Sequence, residues 1–278
     1  MLTTDFVACA DDGIGKFDTS MLSQQSLMEL FIFGLDNVDR ICGSRDDPRE
    51  VCTWTGVTCN ADKEISELDC SFRGKDGTGS ICLKFLPCSI TYLCLYGGAL
   101  SGTITLSDLP GGMEDISLES NQLSGSLDLH NLPASMREVF LGANIFTGEI
   151  SLEHLPAGLE SLNLEDNHLS GPICLTSLPP ALRILDLHQN TFQGSLNVTR
   201  LPERLENLHL RKNSFCGEID IRHLPTSLEC LDVRNNRLCA DPTKGHLSVV
   251  GWTSTPVLGE AKNLFKPLVV FLSWRRPY

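Results

Sequence analysis

Aromatic residues are scarce in this 278-residue chain, at 6% of the sequence, so aliphatic side chains must fill its core. No apolar run reaches the ~18 residues that a membrane-spanning helix needs, and the most apolar late segment, 267–274, is too short. Basic residues are also few, since 22 Lys and Arg stand against 35 Asp and Glu, a formal charge of −13. Because nucleic-acid binding needs a Lys- and Arg-rich surface that neutralises phosphates, we expect no nucleic-acid partner.

Catalytic signatures are missing as well. The chain contains no G-x-S-x-G, no H-E-x-x-H and no phosphate-binding glycine loop. We therefore predict that the protein is not an enzyme and has neither a cofactor nor a metal site.

A complete signal peptide is also missing, because the first residues lack a basic start and a full apolar segment. The small-residue triplet Ala8-Cys9-Ala10 resembles a cleavage site. This start is either the remnant of a signal peptide or an ordinary N-terminus.

Cysteine, in contrast, is plentiful at twelve residues. Such a number fits either buried free thiols in an intracellular protein or the disulfides of a secreted one. Disulfide partners cannot be assigned from the sequence for Cys42, Cys82, Cys88, Cys94, Cys174 and Cys230.

A Leu-Pro dipeptide and a single asparagine each recur at an interval of 23 residues. Leu-Pro begins at 86, 109, 132, 155, 178, 201 and 224. Asparagine recurs at Asn121, Asn144, Asn167, Asn190, Asn213 and Asn236. The constant phase between the two series identifies a repeat protein.

One unit reads L-x-x-L-x-L-x-x-N-x-L-S-G-x-I-x-L, and its Leu-x-Leu alternation predicts a short half-buried strand. Parallel strands of successive units pair at about 4.8 Å, and stacking buries the apolar side that a single unit cannot bury. In one unit these positions are Leu159, Leu162, Leu164, Asn167, Leu169, Gly171, Ile173 and Leu175. We predict an α/β fold leaning to β, a solenoid of about eight coils with a parallel sheet on its concave face.

The repeat resembles the leucine-rich repeat of the plant-type class, and its fixed 23-residue units are similar to those of kinetoplastid-like protists. The stretch "CTWTGVTC" at 52–59 resembles the N-terminal cap of extracellular plant-type members. That resemblance implies a Cys52–Cys59 disulfide and a Trp54 side chain that covers the first coil. We expect a cap segment over 1–63, repeats over 64–240 and a C-terminal cap and tail over 241–278. The cap helix should cover 21–35, with Thr19 or Ser20 as its N-terminal capping residue.

The polar positions beside the strand leucines should face solvent on the concave side, which in leucine-rich repeat proteins usually binds the partner. Aromatic and arginine side chains among them are common binding hot spots. The candidate partner-binding residues are Tyr92, Tyr96, Asp115, Glu119, Phe140, Asn163, Glu165, Asp186, His188, His209, Arg211, Asp232 and Arg234. The alternative is a solvated face without a binding role.

Three further features depend on the same spacing. Asp186, His209 and Asp232 stack at one position of successive strands, which predicts an ion pair and less readily a metal site. Cys216 and Cys239 lie 23 residues apart, which predicts a disulfide between adjacent coils. The sequon at Asn197 should present a glycan away from the concave face.

Together these features predict a non-catalytic recognition module that binds a partner through the concave face of its solenoid, outside the cell or at its surface. A protein is the first choice of partner and a carbohydrate the second. The alternatives are an intracellular, cytoplasmic interaction scaffold and a secreted enzyme inhibitor.

Overall fold

The chain forms a solenoid with two mainly parallel β-sheets in the computed structural model, which describes residues 21–71, 77–239 and 269–271. Strands are numbered in chain order. The concave sheet contains β1 (Val57–Cys59), β2 (Ile65–Asp69), β4 (Tyr92–Cys94), β6 (Asp115–Ser117), β8 (Glu138–Phe140), β10 (Ser161–Asn163), β12 (Ile184–Asp186), β14 (Asn207–His209), β16 (Cys230–Asp232) and β18 (Val269–Phe271). The return sheet contains β3 (Thr78–Gly79), β5 (Ala99–Thr103), β7 (Gln122–Gly125), β9 (Ile145–Glu149), β11 (His168–Gly171), β13 (Thr191–Gly194), β15 (Ser214–Glu218) and β17 (Arg237–Cys239).

The predicted solenoid and its parallel concave sheet are confirmed. Leu162 lies opposite Leu185, and Leu185 opposite Leu208, so the concave register advances by one 23-residue unit per strand. The concave strands from β2 to β16 delimit seven complete turns. The antiparallel strand β1 precedes them and pairs with β2.

The core runs without interruption along the solenoid, from Met28 in the cap to Val233 in the last repeat. Both leucines of each Leu-x-Leu pair point inward; Leu162 and Leu164, for example, are fully buried. Each coil therefore buries its apolar side against the next one, as the repeat requires.

The repeated asparagine stabilises the turn that follows each concave strand from β6 to β16, as predicted. The Asn167 amide donates to the carbonyl oxygens of Leu141 at 3.1 Å, Leu164 at 3.2 Å and Glu165 at 3.0 Å. Its Oδ1 accepts from the backbone N–H of Phe146 at 3.0 Å. One buried side chain thus satisfies backbone groups of two consecutive coils. The same bonds recur at Asn121, Asn144, Asn190, Asn213 and Asn236.

The N-terminal cap is built on helix α1 (Gln24–Ile32), followed by the short helix α2 (Asp39–Cys42). The Ser23 side chain caps α1 by accepting from the backbone N–H of Ser26 at 3.1 Å, so the prediction of Thr19 or Ser20 as the cap was wrong. The Gln24 Oε1 accepts from the N–H of Ile65 at 3.0 Å and ties the helix to the first parallel strand. Single 3-10 turns lie at Val51–Thr53, Leu83–Phe85, Leu106–Asp108 and Leu129–Asn131.

The cap disulfide that the resemblance implied is present. Cys52 and Cys59 are bonded, with their Cα atoms 5.7 Å apart. Trp54 is 3% exposed, belongs to the core, and donates its indole N–H to the Arg49 carbonyl at 2.8 Å. This side chain closes the cap end of the solenoid core.

The predicted disulfide between Cys216 and Cys239 was wrong. Cys216 is a free, exposed thiol. On the return sheet Cys216 lies opposite Arg237, and Cys239 opposite Glu218. Neighbouring return strands are thus paired at an offset of 21 residues instead of 23, so residues one unit apart are not directly opposed.

The C-terminal segment contributes one strand that the sequence did not predict. Segment 257–278 fits no repeat unit, yet Val269–Phe271 pairs in parallel with β16 and extends the concave sheet. The rest of the expected C-terminal cap, like the triplet at 8–10, lies outside the described residues. Among the described residues no helix is long and apolar enough to cross a membrane.

Candidate functional site

The concave sheet brings the predicted residues together. Strand pairing places Asn163 opposite Asp186, Asp186 opposite His209, and His209 opposite Asp232. The thirteen candidate residues all lie on concave strands or two residues after one. Since side chains alternate along a strand, residues i and i+2 share the concave face.

Asp186 is the centre of a network in the C-terminal half of this face. Its Oδ1 accepts from the backbone N–H of His188 at 3.0 Å and lies 2.7 Å from the Nδ1 of the same residue. Its Oδ2 lies 2.9 Å from the Nδ1 of His209. The Oε2 of Glu165, from the preceding coil, also approaches His188 Nδ1 at 3.0 Å.

The network shifts the protonation of its members. Burial of Asp186 opposes ionisation, but hydrogen bonds from His209 and from the backbone and ring of His188 outweigh it and hold the pKa of the carboxyl below its ordinary value. The hydrogen bond to Asp186, and then the one to Cys230, raises the pKa of His209 to about 10. Asp186 and His209 therefore form the ion pair that the sequence predicted.

Asp186, His209 and Asp232 form the predicted column, a stack at one position of successive strands. Asp232, its third member, pairs with Arg234 and not with His209. The Arg234 guanidinium donates through Nη2 to Asp232 Oδ2 at 2.6 Å and through Nε to Oδ1 at 2.9 Å. This pair lies two residues apart on one chain segment. The column consequently divides into an Asp186–His209 pair and an Asp232–Arg234 pair.

Gly142 opens a gap that the sequence did not reveal as part of the site. A Cβ there would lie 2.8 Å from the Glu165 Cγ and 3.4 Å from the Glu119 Oε1. Through this gap the Asn163 amide donates to the Glu119 Oε1 at 3.0 Å. Burial, and then the charges of Glu165 and Asp186, raise the pKa of Glu119 above its ordinary value.

The N-terminal half of the face is aromatic and acidic. Tyr96 is 47% exposed. Burial, together with the neighbouring Cys94, raises the pKa of Tyr92 to about 12, so its hydroxyl is neutral. Burial also raises the pKa of Asp115 and Glu138, with added repulsion from neighbouring carboxylates.

A charge ladder lines one edge of the concave sheet, and sequence analysis missed it. The Arg137 Nε lies 3.6 Å from the Glu114 Oε2, and its Nη1 lies 3.2 Å from the Glu160 Oε1. The Arg183 Nη2 lies 3.1 Å from the Glu206 Oε2. These residues precede successive concave strands at the 23-residue interval, so charge alternation at that interval was the signal. Because the pairs are exposed, they contribute little stability.

The sequon lies outside the concave sheet. Asn197 is exposed between buried Leu196 and Val198, and its Oδ1 accepts from the Thr199 hydroxyl at 2.7 Å. Its position agrees with the predicted orientation. A glycan at Asn197 stays a prediction.

The raised pKa of His209 predicts a pH-dependent stability. Below about pH 6.5, the ordinary pKa of histidine, His209 is protonated in both the folded and the unfolded chain. Between about pH 6.5 and pH 10 it is protonated only in the folded chain, so the free energy of unfolding falls as the pH rises. Because the side chain is 34% exposed, solvent screening limits the change to on the order of 1 kcal/mol. Urea unfolding with a chelator present at pH 6 and pH 9.5 should show this loss in the wild type and not in His209→Asn. Parallel pH profiles would refute the ion pair.

Comparison with solved structures yields significant matches. The complex of PEPR1 with AtPEP1 aligns at a TM-score of 0.57 and 24% identity, over 78% of this chain and 35% of that one. The leucine-rich repeat ectodomain of the Arabidopsis thaliana receptor kinase GASSHO1/SCHENGEN3 aligns at 0.57 and 23% identity, over 78% and 30%. Pollen Receptor Kinase 3 aligns at 0.50 and 21% identity, over 80% and 99%.

These similarities establish that the chain has the leucine-rich repeat fold. The chain spans about a third of the length of the first two proteins. No protein-family model matches the sequence, and the comparison with curated proteins gives no significant match.

Proposed function

We propose that the protein is a non-catalytic recognition module that binds a protein or peptide ligand along its concave sheet. The observation that carries this proposal is the aromatic and charged concave face, where Tyr96 is exposed and Phe140 and Arg211 are half-buried. Tyrosine and arginine side chains dominate the binding energy of many protein interfaces, and a preformed sheet loses little conformational entropy on binding.

The fold comparison supports the same function. GASSHO1/SCHENGEN3 was crystallised with CASPARIAN STRIP INTEGRITY FACTOR 2, and PEPR1 with AtPEP1. Both share the solenoid with this chain. The proposal places this chain's own ligand on the thirteen concave residues, with repeats over 64–240 between a cap segment and a C-terminal tail.

Capture of partners with two matched double variants tests the proposal. Tyr96→Ser with Arg211→Ser removes one exposed and one half-buried concave side chain without leaving buried Asp186 or Asp232 unpaired. Ile145→Ser with Arg200→Ser removes similar side chains outside the concave sheet. We expect the concave variant to bind the captured ligand roughly 30-fold more weakly, since a hot-spot side chain contributes about 2 kcal/mol. Equal affinity of both variants would overturn the proposal.

We further propose an extracellular or cell-surface location, which the Cys52–Cys59 disulfide supports. An intracellular scaffold is the second candidate, favoured by free thiols such as buried Cys42 and exposed Cys88. Thiol counting on native protein without reductant separates the two. We expect Cys52 and Cys59 to resist alkylation after unfolding while Cys216 and Cys88 react in the folded protein; twelve reactive thiols in the unfolded chain would contradict the extracellular location.

A further inference from the structure

A cluster of metal-ligating atoms lies at the middle of the concave network. One carboxylate oxygen each of Glu165 and Asp186 and one ring nitrogen of His188 all lie within 4.8 Å of one another. Asp186 ends β12 and His188 follows it by two residues, so the two side chains share a face, and Glu165 is the counterpart of His188 one coil earlier. The side chains are largely shielded from solvent, at 11% exposure for Asp186, 14% for His188 and 32% for Glu165.

The three atoms match the donor preference of zinc. Zn²⁺ accepts one histidine nitrogen and carboxylate oxygens at about 2.0–2.2 Å, and a tetrahedral site separates its ligand atoms by roughly 3.4 Å. The present contacts of 2.7 Å and 3.0 Å to His188 Nδ1 need to open by about half an ångström, which side-chain rotation supplies.

The surroundings resemble the outer shell of a metal site. The second oxygen of Asp186 is held by the His209 ring at 2.9 Å, which fixes the orientation of the carboxylate. The three carboxylates of Glu119, Glu165 and Asp186 crowd one region, and burial followed by mutual repulsion raises the pKa of Glu119 and Glu165. A bound dication would relieve that repulsion.

We propose that Glu165, Asp186 and His188 form a binding site for a divalent transition-metal ion, for which Zn²⁺ is the best-fitting probe. This reverses the expectation from the sequence that the chain has no metal site. The site goes beyond the proposed recognition function and does not depend on it, since metal binding needs no partner. The Asp232–Arg234 pair keeps Asp232 out of the site.

Arg211 sets the strength of the site. Its Nη2 lies 3.4 Å from the Nε2 of His188, so a positive charge lies across the imidazole ring from the Nδ1 that faces the ion. Removal of this charge removes a repulsion. Ligand loss and Arg211 loss therefore have opposite effects on metal affinity, which a merely unfolded variant cannot reproduce.

Zn²⁺ titration by calorimetry, on the full chain stripped with chelator and with its thiols alkylated, tests the proposal. We expect one ion per chain for the wild type. His188→Ala and Glu165→Gln should each weaken binding by at least ~10-fold, as loss of a ligand does, while Arg211→Gln should strengthen it. Circular dichroism confirms that each variant is folded.

The exposed ring pair of His130 and His154, with centroids 4.6 Å apart, is the matched control. Its double alanine variant should bind Zn²⁺ like the wild type. Zn²⁺ binding that survives both His188→Ala and Glu165→Gln, or that disappears with the His130 and His154 variant, would overturn the proposal. A wild type that binds no Zn²⁺ at millimolar concentration would overturn it equally.

Discussion

Phe192→Ala is expected to lower the free energy of unfolding by about 4 kcal/mol, the typical cost of truncating a buried phenylalanine. Phe192 is fully buried between coils and stacks on Phe215, with ring centroids 6.2 Å apart and planes at 8°. Its removal leaves a cavity at the contact between two repeats. Because a solenoid is stable only through contacts between neighbours, the loss should also broaden the unfolding transition.

The matched control is Phe192→Leu. Leu123 and Leu169 occupy the equivalent position in other coils and are fully buried there. The position thus accepts leucine, and we expect this substitution to cost about 1 kcal/mol. Chemical unfolding followed by circular dichroism measures both variants. Equal losses for alanine and leucine would show that cavity formation between coils is not the cause.

Asn167→Ala is expected to lower the free energy of unfolding by about 3 kcal/mol. The substitution deprives the Phe146 N–H and the Leu141, Leu164 and Glu165 carbonyls of a common partner. Asn167 is 4% exposed, so water cannot easily replace the side chain. A buried backbone group left without a partner costs about 1–3 kcal/mol.

Asn236→Ala serves as the comparison for this effect. Asn236 makes the corresponding bonds to Leu210, Val233, Arg234 and Phe215, but it is only partly buried. Water can reach the groups that it leaves, so we expect at most about half the loss seen at Asn167. A loss at Asn236 as large as that at Asn167 would contradict the role of burial.

Much of the scaffold was predictable from the sequence because its signals repeat. The 23-residue interval fixed the strand positions, the inward leucines such as Leu162, and the role of Asn167. The same interval gave a wrong prediction at Cys216, since it describes equivalent positions and not the pairing of the return strands. The helix cap was misplaced by three to four residues because Ser20 and Ser23 are equally good capping residues by type.

The candidate site was harder to predict than the scaffold. Sequence spacing identifies columns, and it correctly joined Asp186 to His209. It did not reveal the contact between Glu165 and His188, which depends on side-chain rotation toward Asp186. Nor did it give Gly142 a role, because an absent side chain matters only when its neighbours' positions are known.

Photo-crosslinking from two equally exposed positions tests the central claim, that the concave sheet binds the ligand. Tyr96, on the concave side, is 47% exposed, and Ile145, on the return sheet, is 45% exposed. Benzoylphenylalanine at each position samples one side of the solenoid with the same reagent. We expect a crosslink to the captured ligand from position 96 and none from position 145. A crosslink from position 145 alone would contradict recognition by the concave sheet.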